Sequence, residues 1–306
     1  MRKTTIRIPG SSGNIGPGFD TLALAYNIYL RLTFEFDESF NDGPFIEVEG
    51  EYQDGIARDD TNLIIKLLKD HLADKQSLLK HLKVTIDNDI PLARGLGSSS
   101  AAGIGAIWGA LWLAEKNLSK DRCIQAVSKR EGHAENASAS ALGGLVAVGK
   151  NSDGSFQYVA SPWPLSWSCI LVVPDYEVST PEARKILPRS VSMSQAVANI
   201  QNTTMILSAI LSEDAELFSS FLRDTIHEPY REVLVPELTD LKVYLRNKCA
   251  LGTVLSGAGP TILTIVEEAS KKELLELLES WKASQKCGVK IYDLEVDTEG
   301  LVVELE

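Results

Sequence analysis

Residues 91–102 (PLARGLGSSSAA) form the glycine-rich segment that most limits how this chain can fold. Shortly before it, residues 82–87 alternate apolar and polar side chains, which indicates a strand with one buried face. Residues 101–115 are rich in Ala, Ile, Leu and Trp and include several glycines, a composition that favours a closely packed helix. The predicted order is therefore strand, glycine loop and helix.

This glycine loop has the chemistry of a phosphate site. Gly95 and Gly97 can adopt backbone angles that are closed to other residues, and Ser98, Ser99 and Ser100 stand where the N-cap of the following helix belongs. Free backbone N–H groups and the positive end of the helix dipole would then converge on one point, an arrangement that binds phosphate. An ordinary turn capped by serine explains the same residues, so the loop alone leaves both interpretations open.

Length and charge narrow the class of protein. The 306 residues are enough for two domains, and 44% hydrophobic and 24% charged residues are typical of a globular protein. The formal net charge of −12 argues against a general affinity for nucleic acid or for an anionic membrane. The sequence also lacks an apolar run of about 18 residues that could span a bilayer. The cysteines lie far apart without a C-x-x-C pair, which indicates buried thiols in a reducing compartment, by default the cytoplasm: Cys123, Cys169, Cys249 and Cys287.

The rest of the chain intersperses strands and helices without a regular repeat. Residues 9–20 (PGSSGNIGPGFD) are dominated by glycine, proline and serine and predict an irregular loop that ends in a carboxylate. Residues 28–36 alternate as a long strand with one buried face. The segment 161–164 (SPWP) marks a domain boundary. We therefore predict an α+β protein with two domains, residues 1–160 and 161–306.

The glycine loops, taken in order, resemble those of the GHMP superfamily of small-molecule kinases, which includes galactokinase, homoserine kinase, mevalonate kinase and phosphomevalonate kinase. Its central motif, P-x-x-x-G-L-G-S-S-A-A, matches residues 91–102 with one extra residue, Ser100. Its C-terminal glycine motif is similar to residues 255–261 (LSGAGPT), and the N-terminal signature of its homoserine kinases is similar to residues 12–20 (SGNIGPGFD). Further segments that match homoserine kinases are Glu131-Gly-His133 with Asn136, Ser179 and Thr180 with Arg184, and residues 227–231 (HEPYR).

This resemblance implies a fold, an activity and a set of ligands. The N-terminal domain would resemble domain 2 of ribosomal protein S5, the C-terminal domain would be ferredoxin-like, and ATP would lie between them. The implied reaction is ATP-dependent phosphorylation of the L-homoserine hydroxyl to O-phospho-L-homoserine, in threonine biosynthesis, with Mg²⁺ as cofactor. The family also makes a homodimer plausible.

For the nucleotide, the resemblance implies Mg²⁺ ligation by Ser99 and Glu131 and an adenine contact from Asn62. On the residues alone, Glu131 could equally be an exposed charge at a helix end, and Asn62 could be a helix N-cap. The residues expected to contact ATP are Asn62, Pro91, Arg94, Gly95, Leu96, Gly97, Ser98, Ser99, Ser100 and Ala101.

For the alcohol substrate, Asp20 would orient or deprotonate the accepting hydroxyl, although on the residues alone it could cap a helix over 21–25. Arg184 and Arg231 would clamp the substrate carboxylate with their guanidinium forks. The predicted catalytic residues are Asp20, Glu131 and Arg231. The residues expected to contact substrate are Asn14, Asp20, His133, Asn136, Thr180, Arg184, Arg231 and Gly257.

The sequence departs from the family pattern at two places, and these departures affect the geometry expected near Asn136. The family usually has Asp-Asn-Val-Ala-Pro where this chain has residues 135–139 (ENASA), and Ala where it has Gly13. Two other interpretations stay open: a GHMP kinase for a mevalonate-like or sugar-like alcohol, and a nucleotide-binding homologue without catalysis. The presence of Asp20 and Glu131, and of Ser98 and Ser99 in the phosphate loop, favours an active kinase.

Overall fold

The computed structural model describes residues 1–304, so the last two residues of the predicted second domain lie outside the described residues. The strands are β1 (Arg2–Gly13), β2 (Leu22–Phe36), β3 (Phe45–Glu49), β4 (Leu82–Asn88), β5 (Leu145–Lys150), β6 (Phe156–Ser161), β7 (Trp167–Pro174), β8 (Ala250–Leu255), β9 (Ile262–Glu267), β10 (Val289–Leu294) and β11 (Val302–Glu304). The helices are α1 (Leu63–Leu72), α2 (Ser98–Leu113), α3 (Lys120–Glu131), α4 (Glu135–Leu142), α5 (Thr180–Lys185), α6 (Met193–Ser212), α7 (Ala215–Phe221), α8 (Glu228–Arg231), α9 (Pro236–Tyr244) and α10 (Lys271–Lys282). Within residues 1–304, no helix combines the length and apolar character needed to cross a membrane.

The first sheet contains seven strands, in the order β11-β1-β2-β4-β3, with β5 paired to β2 and β6 paired to β5. Its strand pairs are antiparallel except for the parallel pair β3–β4. The prediction of a strand over residues 82–87 is confirmed by β4, in which Leu82, Val84 and Ile86 are buried. These side chains share one apolar core with residues of α1 and α2, so the alternating pattern places the helices on one face of the sheet.

Strand β1 is longer than the sequence suggests. Pro9 pairs with Tyr29 of β2, and residues 10–13 pair with β2 after a bulge between Pro9 and Gly10, so the prediction of an irregular loop starting at residue 9 is wrong. The small residues of this segment fit a strand because helix α4 packs against it. Strand β2 begins at Leu22, which excludes a helix capped by Asp20.

The second sheet is antiparallel, in the order β10-β7-β9-β8. Strand β7 is buried along its whole length because Cys169, Leu171 and Val173 join the apolar core of the first sheet, whereas Ile170 and Val172 on its other face join a separate apolar core. Residues of α9 and α10 join this sheet in a second apolar core, among them Leu238, Leu241, Leu274, Leu278 and Trp281. Two sheets with helices packed on them confirm the predicted α+β class.

The end of the chain returns to the first sheet. Strand β11 pairs with β1, with Thr5 opposite Glu304. The last strand of the first sheet before this return ends at Ser161, and the second sheet begins at Trp167. The domain boundary between residues 160 and 161 stays a prediction.

Helix α2 approaches the first sheet closely because it presents glycines to it. A Cβ added at Gly105 would lie 2.5 Å from Leu32 Cδ1, and one added at Gly109 would lie 2.4 Å from Phe34 Cζ. Both distances are shorter than carbon atoms tolerate, so larger side chains would push the helix away. The glycines therefore set the position of α2, and with it the position of its N-terminus.

Replacing Gly109 with Ala tests this packing. Overpacking against Phe34 costs about 1–3 kcal/mol, and the higher helix propensity of Ala offsets about 1 kcal/mol of that cost. We expect a net loss of up to about 2 kcal/mol in the free energy of unfolding, measured by urea denaturation. Gly149→Ala is the matched control, because no described atom lies within 4 Å of a Cβ added at that strand position. Equal effects of the two substitutions would contradict the packing argument.

Candidate active site

One cavity of about 950 Å³ is lined by residues from both halves of the chain. Pro91 and Ala101, two of the predicted ATP contacts, are buried and do not line it. The wall also contains Glu135 and Glu177, which the sequence reasoning did not select. The predicted site residues that do line the cavity are Asn14, Asp20, Asn62, Arg94, Gly95, Leu96, Gly97, Ser98, Ser99, Ser100, Glu131, His133, Asn136, Thr180, Arg184, Arg231 and Gly257.

The N-cap of α2 is Gly97, so the prediction of a serine at this position is wrong. Gly97 has φ of +68°, and a Cβ added there would lie 2.3 Å from Ser11 Oγ, so the position requires glycine. Among the described residues no side chain caps this first turn. The backbone N–H groups of Ser98, Ser99 and Ser100 therefore face the cavity without a helical acceptor, at the positive end of the helix dipole. This is an anion site built from backbone.

A second glycine turn holds the phosphate loop in place. Ser256 Oγ lies 2.6 Å from the Gly95 carbonyl, to which it donates, and 2.6 Å from Ser12 Oγ. The Thr261 N–H donates to the Arg94 carbonyl at 3.2 Å. A Cβ added at Gly95, where φ is +77°, would lie 2.3 Å from the Ser256 carbonyl oxygen. The loop can therefore approach this turn only because residue 95 is glycine.

Glu131 lies beside the serines of the phosphate loop. Its carboxylate accepts hydrogen bonds from Ser99 Oγ at 3.2 Å and from Ser100 Oγ at 2.7 Å. These contacts exclude the interpretation of Glu131 as a charge exposed only to water. The described residues contain no cluster of three or more His, Cys, Asp or Glu side chains that could hold a metal by themselves. A cation at this point would need further oxygen ligands from phosphate and water.

Two predicted nucleotide contacts have structural partners of their own. Asn62 is the N-cap of α1: its Oδ1 accepts from the Ile64 N–H at 2.8 Å, and its Nδ2 donates to the Ala57 carbonyl at 2.7 Å. Arg94 donates Nη2 to the Asp175 carbonyl at 2.9 Å. The capping role that the sequence left open for Asn62 is therefore present, and contacts of both residues with ATP stay predictions.

Asp20 and Arg184 form a two-point ion pair in the cavity wall. Arg184 Nη2 lies 2.7 Å from Asp20 Oδ1, and Arg184 Nη1 lies 3.1 Å from Asp20 Oδ2. Asp20 has φ of +52°, and its N–H donates to Asn14 Oδ1 at 3.0 Å. The opposite end of the Asn14 amide donates to the Gly257 carbonyl at 2.8 Å. The structure thus brings the predicted clamp and the predicted base into direct contact.

Arg231 is almost fully buried, and backbone oxygens fix its orientation. Its Nε donates to the Ala183 carbonyl at 3.2 Å, and its Nη1 donates to the Gly257 carbonyl at 3.0 Å. Burial, together with the nearby charge of Arg184, lowers the pKa of Arg231 to about 10, so it remains a cation at neutral pH. His227 Nδ1 lies 3.3 Å from Arg231 Nη1, and burial lowers the pKa of this histidine, which favours the neutral ring that can accept this hydrogen bond.

Glu135 is the site residue that the sequence reasoning missed. Its carboxylate is 3% exposed, accepts from Asn136 Nδ2 at 3.0 Å and lies 3.1 Å from His133 Nδ1. Burial lowers the pKa of His133, but the hydrogen bond to Glu135 and the charges of Glu135 and Glu131 outweigh this effect, so the pKa is raised. Asn136 Oδ1 accepts from Ser11 Oγ at 3.0 Å. One sequence signal could have identified Glu135: it lies next to Asn136 in the segment that corresponds to the family motif.

Comparison with known proteins finds family models and relatives that match this chain. A model described as GHMP kinases N terminal domain matches residues 62–144, and one described as GHMP kinases C terminal matches residues 206–283. A homoserine kinase from Aquifex aeolicus (strain VF5) is 38% identical over 267 residues, which cover 87% of this chain and 88% of that protein. The chain belongs to the homoserine kinase family.

Other relatives support this membership and the fold. A homoserine kinase from Bacillus velezensis is 37% identical over 301 residues, which cover 98% of this chain and 94% of that protein. A solved homoserine kinase structure from Cytophaga hutchinsonii matches with a TM-score of 0.85 at 24% identity, over 99% of this chain and 98% of that chain. A mevalonate kinase structure matches with a TM-score of 0.68 at 17% identity, over 96% and 99%. The predicted GHMP kinase fold is confirmed.

His133→Gln tests the ion pair between His133 and Glu135. Because the pKa of His133 is raised above its usual 6.5, the protonated ring stabilises the fold fully below about pH 6.5 and loses this effect as the pH rises through the folded-state pKa. We expect the variant to lose more stability at about pH 6 than at about pH 9, measured by urea unfolding at both values. His71→Gln, whose ring contacts the Leu67 carbonyl, is the control. An equal loss at both pH values would contradict the ion pair.

Proposed function

We propose that this chain is an ATP-dependent kinase that phosphorylates the hydroxyl of L-homoserine, forming O-phospho-L-homoserine and ADP on the path to threonine. One observation carries this proposal: a single cavity has the uncapped first turn of α2 in one part of its wall and Asp20, Arg184 and Arg231 in another. The relatives from Aquifex aeolicus and Bacillus velezensis, which match most of the chain, are named homoserine kinase and support it.

The phosphate end of the cavity supplies positioning and charge. Phosphoryl transfer to an alcohol depends on these effects more than on covalent help from the protein. We assign the terminal phosphates of ATP to the backbone N–H groups of Ser98, Ser99 and Ser100. Donors fixed in advance around the transferred group stabilise its charge without rearranging during the reaction.

The oxygen atoms beside the phosphate loop fit Mg²⁺. Glu131 and the hydroxyl of Ser99 already lie 3.2 Å apart, and Mg²⁺ takes one or two protein oxygens together with phosphate and water. When bound, the ion neutralises charge on the transferred phosphate. Glu131 holds this place because it ends α3 directly opposite the serine hydroxyls.

The amino-acid end offers both signs of charge. A zwitterionic substrate needs cations for its carboxylate and carboxylates for its ammonium group. We assign the carboxylate first to Arg231, whose Nε and Nη1 are held by backbone and whose side chain lines the cavity. In this proposal Arg184 joins it by leaving Asp20. We assign the ammonium group to the buried carboxylate of Glu135.

Asp20 is the proposed partner of the accepting hydroxyl. The Asn14 amide fixes its backbone, and its side chain becomes available when Arg184 turns towards the substrate carboxylate. A carboxylate at this position can orient the hydroxyl or accept its proton. Substrate binding and readiness for catalysis are therefore linked through one ion pair.

The remaining assignments stay predictions. Both ends of the Asn14 and Asn136 amides are bonded within the protein, which favours a role in holding Asp20 and Glu135 in position. Thr180 begins α5 on the exposed rim of the cavity. Free cysteines are compatible with the reducing cytoplasm, where we place the reaction, and a homodimer is kept as an expectation of the family.

The carboxylate clamp predicts a strong preference for the amino acid. We expect kcat/KM for L-homoserine to exceed that for 3-aminopropanol, which lacks the carboxylate, by at least about 100-fold, equal to about 2.7 kcal/mol. Arg231→Leu is expected to remove most of this ratio, because it lowers kcat/KM for L-homoserine and leaves kcat/KM for 3-aminopropanol nearly unchanged. Arg231→Lys, which keeps the charge without the fork, is expected to retain part of it. Steady-state kinetics with both alcohols measure these ratios.

Two further results decide the outcome. Arg246→Leu, which removes an exposed arginine outside the cavity, is expected to leave the ratio unchanged. Equal turnover of the two alcohols by the unsubstituted protein would contradict the clamp and the choice of L-homoserine, but not the phosphate site.

A further inference from the structure

We propose that Gly13 is a positioning residue that sets the depth of the amino-acid end of the cavity, because its missing side chain leaves room for Asn136 and Glu135. This inference rests on the proposed function. Gly13 is the last residue of β1 and is paired with Ala23 of β2. It is buried, and its backbone is not in the left-handed region, so alanine can adopt its conformation.

Glu135 and Asn136, which are consecutive residues of α4, fill the space beside Gly13. A Cβ added at Gly13 would lie 2.6 Å from Asn136 Nδ2, 3.3 Å from Asn136 Cγ and 3.2 Å from Glu135 Oε1. The first distance is below any normal contact, so alanine at this position requires the Asn136 amide to move. Because Nδ2 donates to Glu135 Oε1 at 3.0 Å, the carboxylate moves with it.

The Asn136 amide has little freedom to move elsewhere. Its Oδ1 accepts from Ser11 Oγ at 3.0 Å, and a Cβ added at Gly97 would lie 3.2 Å from the same oxygen. The amide is thus confined between a glycine of β1 and the capping glycine of the phosphate loop. A methyl group at position 13 would therefore displace the Glu135 carboxylate within the amino-acid end of the cavity, where His133 already contacts it from another side.

The two positions in contact, 13 and 135, are among those at which the chain departs from the family pattern. Glycine replaces alanine at position 13, and glutamate replaces aspartate at position 135. The longer side chain of Glu135 brings an oxygen to 3.2 Å from the missing Cβ, so both changes use the same volume. We infer that glycine at position 13 and glutamate at position 135 compensate for each other. Together they keep a carboxylate where it can contact the substrate ammonium group.

The test compares four proteins: the unsubstituted chain, Gly13→Ala, Glu135→Asp, and the double variant. For Gly13→Ala we expect the KM for L-homoserine to rise by about tenfold or more, with the KM for ATP within about twofold. Glu135→Asp alone is expected to raise the KM for L-homoserine because it leaves a gap. The double variant is expected to bind L-homoserine better than either single variant. Gly149→Ala, at an open strand position, is expected to leave every constant unchanged.

The comparison of Glu135→Asp with the double variant keeps the test valid even if Gly13→Ala alone folds poorly. A double variant no better than Glu135→Asp would overturn the proposal, as would a rise in the two KM values by the same factor in Gly13→Ala. In either case, the proposed function would still hold if the unsubstituted protein phosphorylates L-homoserine. Absence of that turnover would overturn the proposed function instead.

Discussion

Hydrogen bonds among three glycine-rich segments hold the phosphate end of the cavity together. Ser256 Oγ donates to the Gly95 carbonyl across 161 residues of chain, and the Gly257 N–H donates to the Gly13 carbonyl. A side chain at position 95 would prevent this close backbone approach, because its Cβ would lie 2.3 Å from the Ser256 carbonyl oxygen, and one at position 257 would crowd the Gly95 carbonyl at 3.2 Å. The turn that carries Ser256 follows β8 of the second sheet, whereas the loop leads into a helix packed on the first. The anion site at the start of α2 therefore depends on both sheets.

Charges at the amino-acid end are kept in pairs, for a physical reason. An isolated charge in a wall of low polarity is costly, whereas a paired and hydrogen-bonded one is tolerated. Asp20 is paired with Arg184, Glu135 is paired with His133, and backbone carbonyls surround Arg231. In the proposed binding mode, a substrate that carries both charges can supply new partners for Arg184 and Glu135, and Asp20 is then free to face the accepting hydroxyl. An alcohol that lacks the carboxylate cannot, so selectivity and the release of Asp20 have a common origin.

Local sequence patterns correctly predict those elements whose formation depends on residues close by in the sequence. Alternation identifies β4, and Asn62 caps α1 as its residue type suggests. The errors arise where a partner is distant in sequence. Gly97 replaces serine as the cap because Ser11 of β1 occupies the space beside it. The Asp20–Arg184 pair joins residues 164 apart, and no local pattern links them. Glu135 resembles an ordinary helix-start charge until α4 is packed on β1.

One cavity is expected to hold ATP and L-homoserine together, and a crystal structure with a non-hydrolysable ATP analogue, Mg²⁺ and L-homoserine tests this most directly. We predict the terminal phosphate at the first turn of α2, the substrate carboxylate on Arg231, and the substrate hydroxyl between Asp20 and that phosphate. Arg184 is expected to have left Asp20 for the substrate. A nucleotide bound away from the glycine loop, or an amino acid whose carboxylate lies away from Arg231, would contradict this arrangement.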